Sequence, residues 1–222
     1  MRTFAVILAG GIGLRMESEI PKQFIPLAGK PVIMHTISNF RKFDSKLEII
    51  VVLPEEHVDL WKELCNEFRF EIEHTIIRGG KERFHSVKNA LDIIPDNCLV
   101  MIHDGVRPLV SHRSIDRVRQ KAIEKGNAIP FVDINESIRK VGKDKSKAVK
   151  REKFKIIQTP QAFISQDIKL AYQQKYRKSF TDDASVYEAL GNKVELVLGN
   201  NKNIKITRPI DLIIAERLLQ EL

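Results

Sequence analysis

Residues 98–132 read CLVMIHDGVRPLVSHRSIDRVRQKAIEKGNAIPFV, and this stretch decides the fold. Its opening run, CLVMI (98–102), is apolar without alternation, the pattern of a strand buried on both faces. HDGVRP (103–108) follows as a turn-forming segment. In SHRSIDRVRQKAIEKG the apolar Ile115, Val118 and Ala122 recur at helical spacing, Ser111 and Ser114 stand where a helix is capped, and Gly126 is placed to end it. A second apolar run, AIPFV (128–132), closes the unit. Strand, helix and strand in succession predict parallel strands joined by a crossover helix.

The same rhythm extends outward. AVIL (5–8), IIVVL (49–53) and HTII (74–77) read as further buried strands, and HSVKNALDII (85–94) as a helix burying Val87, Ala90, Leu91 and Ile94. Trp61, with Leu60, Leu64 and Phe68, forms the core face of another helix. After Val132 the alternation breaks. ESIRKV (136–141) and the stretch near AVKREKFKII (148–157) read as a hairpin joined by GKDKSK, with too few apolar residues to stand alone. Such a hairpin is expected to project and pack against another subunit. A helix around DIKLAYQQ (167–174), another opening near Thr181, strands at VELVLG (194–199) and NIKI (203–206), and a helix from Pro209 to about Leu219 complete the chain. The expected fold is α/β: an open, mostly parallel, Rossmann-like sheet with helices on both faces. It is read as one domain over residues 1–222, with a β-hairpin arm at about 135–158.

Composition narrows the function. Of 222 residues, 43% are hydrophobic, ample for a packed core. The +8 charge is local: between Arg139 and Lys155 nine cations face only Asp144 and Glu152, so that segment carries +7 of it. The remainder is nearly neutral and interleaves no aromatics with basic residues, which argues against nucleic acid as a partner. No apolar run approaches the roughly 20 residues of a bilayer span, so no membrane association is expected. Cys65 and Cys98 lack metal-ligand spacing, as do the six histidines, which leaves zinc without a site and favours a reducing, cytoplasmic setting. His103, at the end of a strand, reads as a packed core residue.

Leu8 and Ala9 lead from the first strand into Gly10, Gly11 and Gly13, where backbone N–H groups can turn toward an anion. No Lys-Ser or Lys-Thr completes a Walker-type loop, and Met16 stands where a dinucleotide fingerprint needs Gly or Ala. The alternative is a tight strand-to-helix turn with surface cations. Against it, the ends of other strands carry RGGKERFHS (78–86) with Arg83 and Ser86, HDGVRP with Asp104 and Arg107, and NIKITRP (203–209) with Lys205 and Arg208. Ligands of open α/β sheets sit outside those carboxyl ends.

The run L-A-G-G-x-G-x-R-M (8–16), followed by P-K-Q (21–23), GGKERFHSV, HDGVRP, QTPQAF (158–163), TDDAS (181–185) and NIKITRP, resembles the 2-C-methyl-D-erythritol 4-phosphate cytidylyltransferase family. The blocks run in the family's order from residue 8 to about residue 211. The resemblance implies in-line attack by a phosphate oxygen of a polyol phosphate on the α-phosphorus of CTP, with pyrophosphate leaving. It further implies that Arg15 and Lys22 stabilise the transition state and that Arg151 and Lys205 position the acceptor phosphate. Leu8, Ala9, Gly10, Gly11, Gly13, Arg15, Lys22, Gly80, Arg83, Ser86, Asp104 and Lys205 would contact CTP. Arg107, Ser137, Arg151, Thr181 and Lys205 would contact the acceptor, and Asp104 would associate with Mg²⁺. A homodimer is implied, with Arg151 on the arm completing the neighbouring site. Lys81 stands where the family often has Asp, Gly105 and Val106 where it has small residues, and Glu136-Ser137 where it has Asp-Thr. Ribitol-5-phosphate cytidylyltransferase is the nearest rival, because it shares most of these motifs.

Overall fold

The computed structural model describes residues 1–11, 16 and 20–220. Chain order runs β1 (Thr3–Leu8), β2 (Pro26–Leu27), β3 (Lys30–Pro31), α1 (Val32–Phe43), β4 (Glu48–Leu53), α2 (Val58–Glu67), β5 (Thr75–Arg78), α3 (Arg83–Asp92) and β6 (Leu99–Asp104). It continues through α4 (His112–Lys125), β7 (Asn127–Asp133), β8 (Arg139–Val141), β9 (Ser146–Ala148), β10 (Lys155–Ile157) and β11 (Gln161–Ile164). The last elements are α5 (Ser165–Ala171), α6 (Asp183–Glu188), β12 (Leu196–Leu198) and α7 (Pro209–Leu219).

The main sheet is ordered β10-β7-β11-β6-β1-β4-β5, with β12 also paired to β7. Strands β6, β1, β4 and β5 pair in parallel. Alternation along β1 divides the core. Ala5 and Ile7 face α1, α2 and α4, packing with Ile37, Phe40, Trp61, Ile115 and Val118. Phe4, Val6 and Leu8 face α3, α5 and α6, packing with Phe84, Val87, Ile168 and Val186. A third cluster of Met16, Leu27, Val32, Val106, Leu109, Ile206 and Ala215 seats α7. Helices therefore cover both faces, as the continuous apolar strands predicted.

The crossover helix forms as read: the Ser114 N–H donates to the Ser111 hydroxyl, and Gly126 at φ +88° donates its N–H to the Ala122 carbonyl. Its two strands, however, are not neighbours. QTPQAF supplies β11, which enters antiparallel between β6 and β7. The arm also differs from expectation. Its hairpin pairs Arg139 with Ala148 and Val141 with Ser146, closed by the Gly142 N–H on the Lys145 carbonyl. A 3-10 turn at Arg151–Lys153 then breaks the strand, so that Lys155–Ile157 leaves the hairpin and joins β7 in the main sheet. Residues 203–206 are not a strand. Ile204 donates its N–H to Lys202, a local turn, and Ile206 makes one bond to the Val106 carbonyl.

Register places the chemistry. Leu8, the last residue of β1, pairs with Asp104, the last of β6, and with Val52 of β4. The glycine turn and the HDG turn consequently leave the sheet side by side.

Candidate active site

At this rim the Ala9 N–H donates to the Val52 carbonyl and the Gly105 N–H to the Leu8 carbonyl, anchoring both turns to the sheet. The Lys22 stem lies across the first turn so closely that a Cβ on Gly11 would stand 2.7 Å from its Cε. On the next turn, a Cβ on Gly80 would meet the His85 Cβ at 2.4 Å, so only glycine lets this loop fold onto the start of α3. The Gly80 N–H donates to the Ser86 hydroxyl at 3.1 Å.

A cavity of about 430 Å³ opens between these turns, lined by Leu8, Ala9, Gly10, Gly11, Lys22, Gly80, Arg83, Ser86, Asp104 and Lys205, all singled out from sequence. A second cavity of about 290 Å³ adjoins it and shares Arg83, Asp104 and Lys205. Arg107 and Thr181 line this second space. Gly13 and Arg15 lie outside the described residues. Ser137 and Arg151 line neither cavity. Both are exposed on the arm, where Arg151 donates to the Asn135 carbonyl.

Asp104 sits where the two spaces meet. Its Oδ2 accepts the Arg107 Nε–H at 3.0 Å and lies 3.1 Å from the Lys205 ammonium. Burial alone would raise this carboxyl, but the charges of Lys205, Arg83 and Arg107 overcome it and hold Asp104 well below the usual carboxylate range. Arg107 also donates to the Asn203 carbonyl at 2.8 Å, tying the HDG turn to the segment that carries Lys205.

Arg83 reaches both cavities from the first turn of α3. Its two terminal nitrogens donate to Asp183 at 2.8 and 2.6 Å, and the Tyr172 hydroxyl donates to the same carboxylate at 2.6 Å. Burial would lower the Arg83 guanidinium, and Asp183 raises it above its usual range. Asp183 is fully buried, whereas its neighbour Asp182 caps α6 by accepting the Ser185 N–H. Gln161 links the two elements, donating to Asp182 and accepting the Ala184 N–H, both at 2.8 Å.

Sequence reading missed several lining residues. Gln23, Lys81, Glu82, Val106 and Thr207 border the first cavity, and Gln158, Thr159, Gln161 and Asp182 the second. All of them had a signal within reach, since each falls in one of the blocks PKQ, GGKERFHSV, HDGVRP, QTPQAF, TDDAS or NIKITRP. His103 is buried as expected, and burial lowers its imidazole to about 4.

Among the described residues no group of three His, Cys, Asp or Glu side chains could hold a metal by itself. One ionised carboxylate open to two adjoining cavities nonetheless fits Mg²⁺, which is held through one or two carboxylates together with ligand oxygens and water. Among the same residues no helix is long and apolar enough to cross a membrane.

A family model described as IspD, 2-C-methyl-D-erythritol 4-phosphate cytidylyltransferase, matches residues 3–221. The chain is 51% identical over 215 residues to the 2-C-methyl-D-erythritol 4-phosphate cytidylyltransferase of Bacteroides fragilis, spanning 97% of this chain and 98% of that protein. To the one from Bacteroides thetaiotaomicron it is 49% identical over 219 residues, spanning 99% and 100%. In structure it is similar to the 4-diphosphocytidyl-2C-methyl-D-erythritolsynthase of Anaerococcus prevotii, with a TM-score of 0.83 at 27% identity over 99% of this chain and 96% of that one.

Proposed function

The chain belongs to the 2-C-methyl-D-erythritol 4-phosphate cytidylyltransferase family, and from that premise we propose that the two adjoining cavities are its active site. The reaction is cytidylyl transfer from CTP to 2-C-methyl-D-erythritol 4-phosphate, releasing pyrophosphate, a step of non-mevalonate isoprenoid synthesis. The family match favours this acceptor over ribitol 5-phosphate.

The nucleophile is a phosphate oxygen already anionic at neutral pH, so no general base is needed. The obstacle is repulsion between two polyanions, and catalysis consists of positioning and charge neutralisation. CTP occupies the larger cavity, its phosphates against the Gly10-Gly11 turn and Lys22, its base toward Gly80 and Ser86. The acceptor occupies the smaller cavity beside Arg107 and Thr181. Lys205, common to both spaces, faces the two phosphates at once. Arg15 and Gly13 are assigned to the phosphate end on the motif alone. When bound at Asp104, Mg²⁺ would supply further charge neutralisation on phosphate oxygens. The single observation that carries the reading is the placement of Asp104, Lys205 and Arg83 on the wall between the cavities.

Residues 1–222 are read as one nucleotidyltransferase domain with an arm, and the protein as a cytoplasmic homodimer. Val141, Phe154 and Ile156 of the arm region are exposed apolar residues that a second copy would cover, bringing Arg151 and Ser137 to the partner's acceptor cavity. The test is pyrophosphate release with each of the four nucleoside triphosphates against methylerythritol phosphate and ribitol phosphate. Release with CTP and methylerythritol phosphate is expected, and equal or greater turnover of ribitol phosphate would reverse the acceptor assignment.

A further inference from the structure

The reaction as described leaves one buried polar side chain on β6 without a role. The His103 ring is fully buried, its centroid 4.9 Å from that of Phe40, and both of its nitrogens are engaged. Nε2 lies 3.0 Å from the Arg107 carbonyl oxygen, and Nδ1 lies 3.0 Å from the Thr159 hydroxyl. A carbonyl oxygen only accepts, so Nε2 carries the proton and Nδ1 presents a lone pair to the Thr159 O–H. The same hydroxyl accepts the Asp104 N–H at 3.1 Å. Arg107 closes the circuit through its Nε–H on the Asp104 carboxylate.

We propose that His103 is a positioning residue for cytidylyl transfer: by donating to the Arg107 carbonyl and accepting from Thr159, it fixes the turn that aims Asp104 and Arg107 at the junction of the cavities. Other bonds to that turn, Gly105 N–H to Leu8, Arg107 N–H to Asp104, Ile206 N–H to the Val106 carbonyl and the Thr36 hydroxyl to the Gly105 carbonyl, hold its chain path. The Asp104 N–H on the Thr159 hydroxyl and the Asn203 amide on the Thr159 carbonyl tie the 159 loop to its surroundings, and to these His103 adds a bond on the Arg107 carbonyl and an acceptor that orients the Thr159 O–H. Packing against Phe40 needs only a ring of this size, whereas the two hydrogen bonds need a donor and an acceptor on opposite edges of it. Substitutions can therefore separate the two contributions.

The kinetic part of this inference rests on the cytidylyl-transfer reading, and the hydrogen-bond circuit does not. His103→Phe keeps the packing and loses both bonds. His103→Gln retains a donor near the Nε2 position, and His103→Asn retains an acceptor near the Nδ1 position. For His103→Phe, kcat per folded molecule is expected to fall about 10- to 100-fold, the scale of a small misplacement of reacting groups. The KM for CTP should stay within about 3-fold, because ground-state binding draws mainly on the glycine turns. The Gln and Asn variants should each recover part of the loss. A normal kcat in His103→Phe, or equal losses in all three variants, would overturn the role. Nitrogen NMR of the wild-type ring provides a measurement that survives any failure to fold. A proton on Nε2 with an unprotonated Nδ1 supports the circuit, and the opposite tautomer or an imidazolium at pH 7.5 overturns it. A wild-type chain that releases no pyrophosphate from CTP overturns the transfer reading, and the kinetic role with it, while the ring's tautomer still tests the circuit.

Discussion

Lys205 and Arg107 converge on one oxygen of one side chain: Asp104 Oδ2 has the Lys205 ammonium at 3.1 Å and the Arg107 Nε at 3.0 Å. Two cations thus share a single negative charge at the wall between the cavities, and each keeps capacity for a phosphate. Asp104→Asn would release both from that carboxylate and remove the group proposed to hold a divalent cation. Turnover with Mg²⁺ is expected to fall about 10²- to 10³-fold, the scale of losing one preorganised electrostatic group. CTP binding measured by calorimetry in EDTA should be unchanged or tighter. Weaker metal-free binding together with full turnover would reject the placement of Asp104 between the two anions.

The Arg83–Asp183 pair ties the start of α3 to the start of α6. Asp183 is fully buried and takes three charge-assisted or hydroxyl hydrogen bonds, two from Arg83 and one from Tyr172. Asp183→Asn would leave the Arg83 charge without its counter-ion and the Tyr172 hydroxyl with a poorer acceptor. Breaking a buried pair by removing one partner costs about 3–5 kcal/mol. Because Arg83 borders a cavity and its side chain is 31% exposed, water relieves part of that, and a loss of about 2–3 kcal/mol is expected. Urea unfolding of the two proteins measures it directly. A difference below about 1 kcal/mol would mean that the pair is screened by solvent.

The parts legible in the sequence were those with period or with a glycine signature. Continuous apolar runs marked β1, β4, β6 and β7 because both faces of each are buried, and Gly126 marked the end of α4 because a left-handed cap favours glycine. β11 escaped because four residues after a proline carry too little pattern, and the sheet order depends on which edge it enters, a tertiary matter. In the site, the glycine pair and Ser86 stood out at the end of a strand, their contact with CTP being implied only by the resemblance, but the division of labour within TDDAS was legible from neither. Nothing in two adjacent aspartates says that Asp182 caps a helix while Asp183 turns inward to Arg83. The link from Asp104 through Thr159 to His103 spans 56 residues of chain, so no local pattern could announce it.

Burial lowers His103 to about 4, from an ordinary value near 6.5. Between those values the unfolded chain takes up a proton that the native chain refuses. The stabilising contribution is therefore complete above about pH 6.5 and declines as the pH falls toward 4. The decline amounts to about 3 kcal/mol across the window. Asp104 shifts in the same direction: its depressed carboxyl stabilises above the ordinary aspartate value, and that contribution is lost only in more acid solution than the His103 window. Urea unfolding at pH 7 and at pH 4.5 should show the loss in wild type and a flatter dependence in His103→Phe. Identical slopes would mean that His103 is not held neutral by the fold.

Arg151 lies on an exposed turn away from both cavities of its own chain, whereas Lys22 lines the larger one. If the arm completes the neighbouring site, each active site draws Lys22 from one subunit and Arg151 from the other. Arg151→Ala alone and Lys22→Ala alone should each reduce turnover, the latter about 10²- to 10³-fold. Mixing the two proteins under conditions of subunit exchange produces heterodimers in which one site carries both substitutions and the other carries neither. Statistically half of the dimers are of this mixed kind, so turnover should recover to about one quarter of the wild-type value per chain. Recovery requires exchange, which is followed independently by mass spectrometry of differently labelled subunits. Exchange without recovery would place Arg151 in the site of its own chain or outside the reaction, and the cationic arm would then need a different explanation.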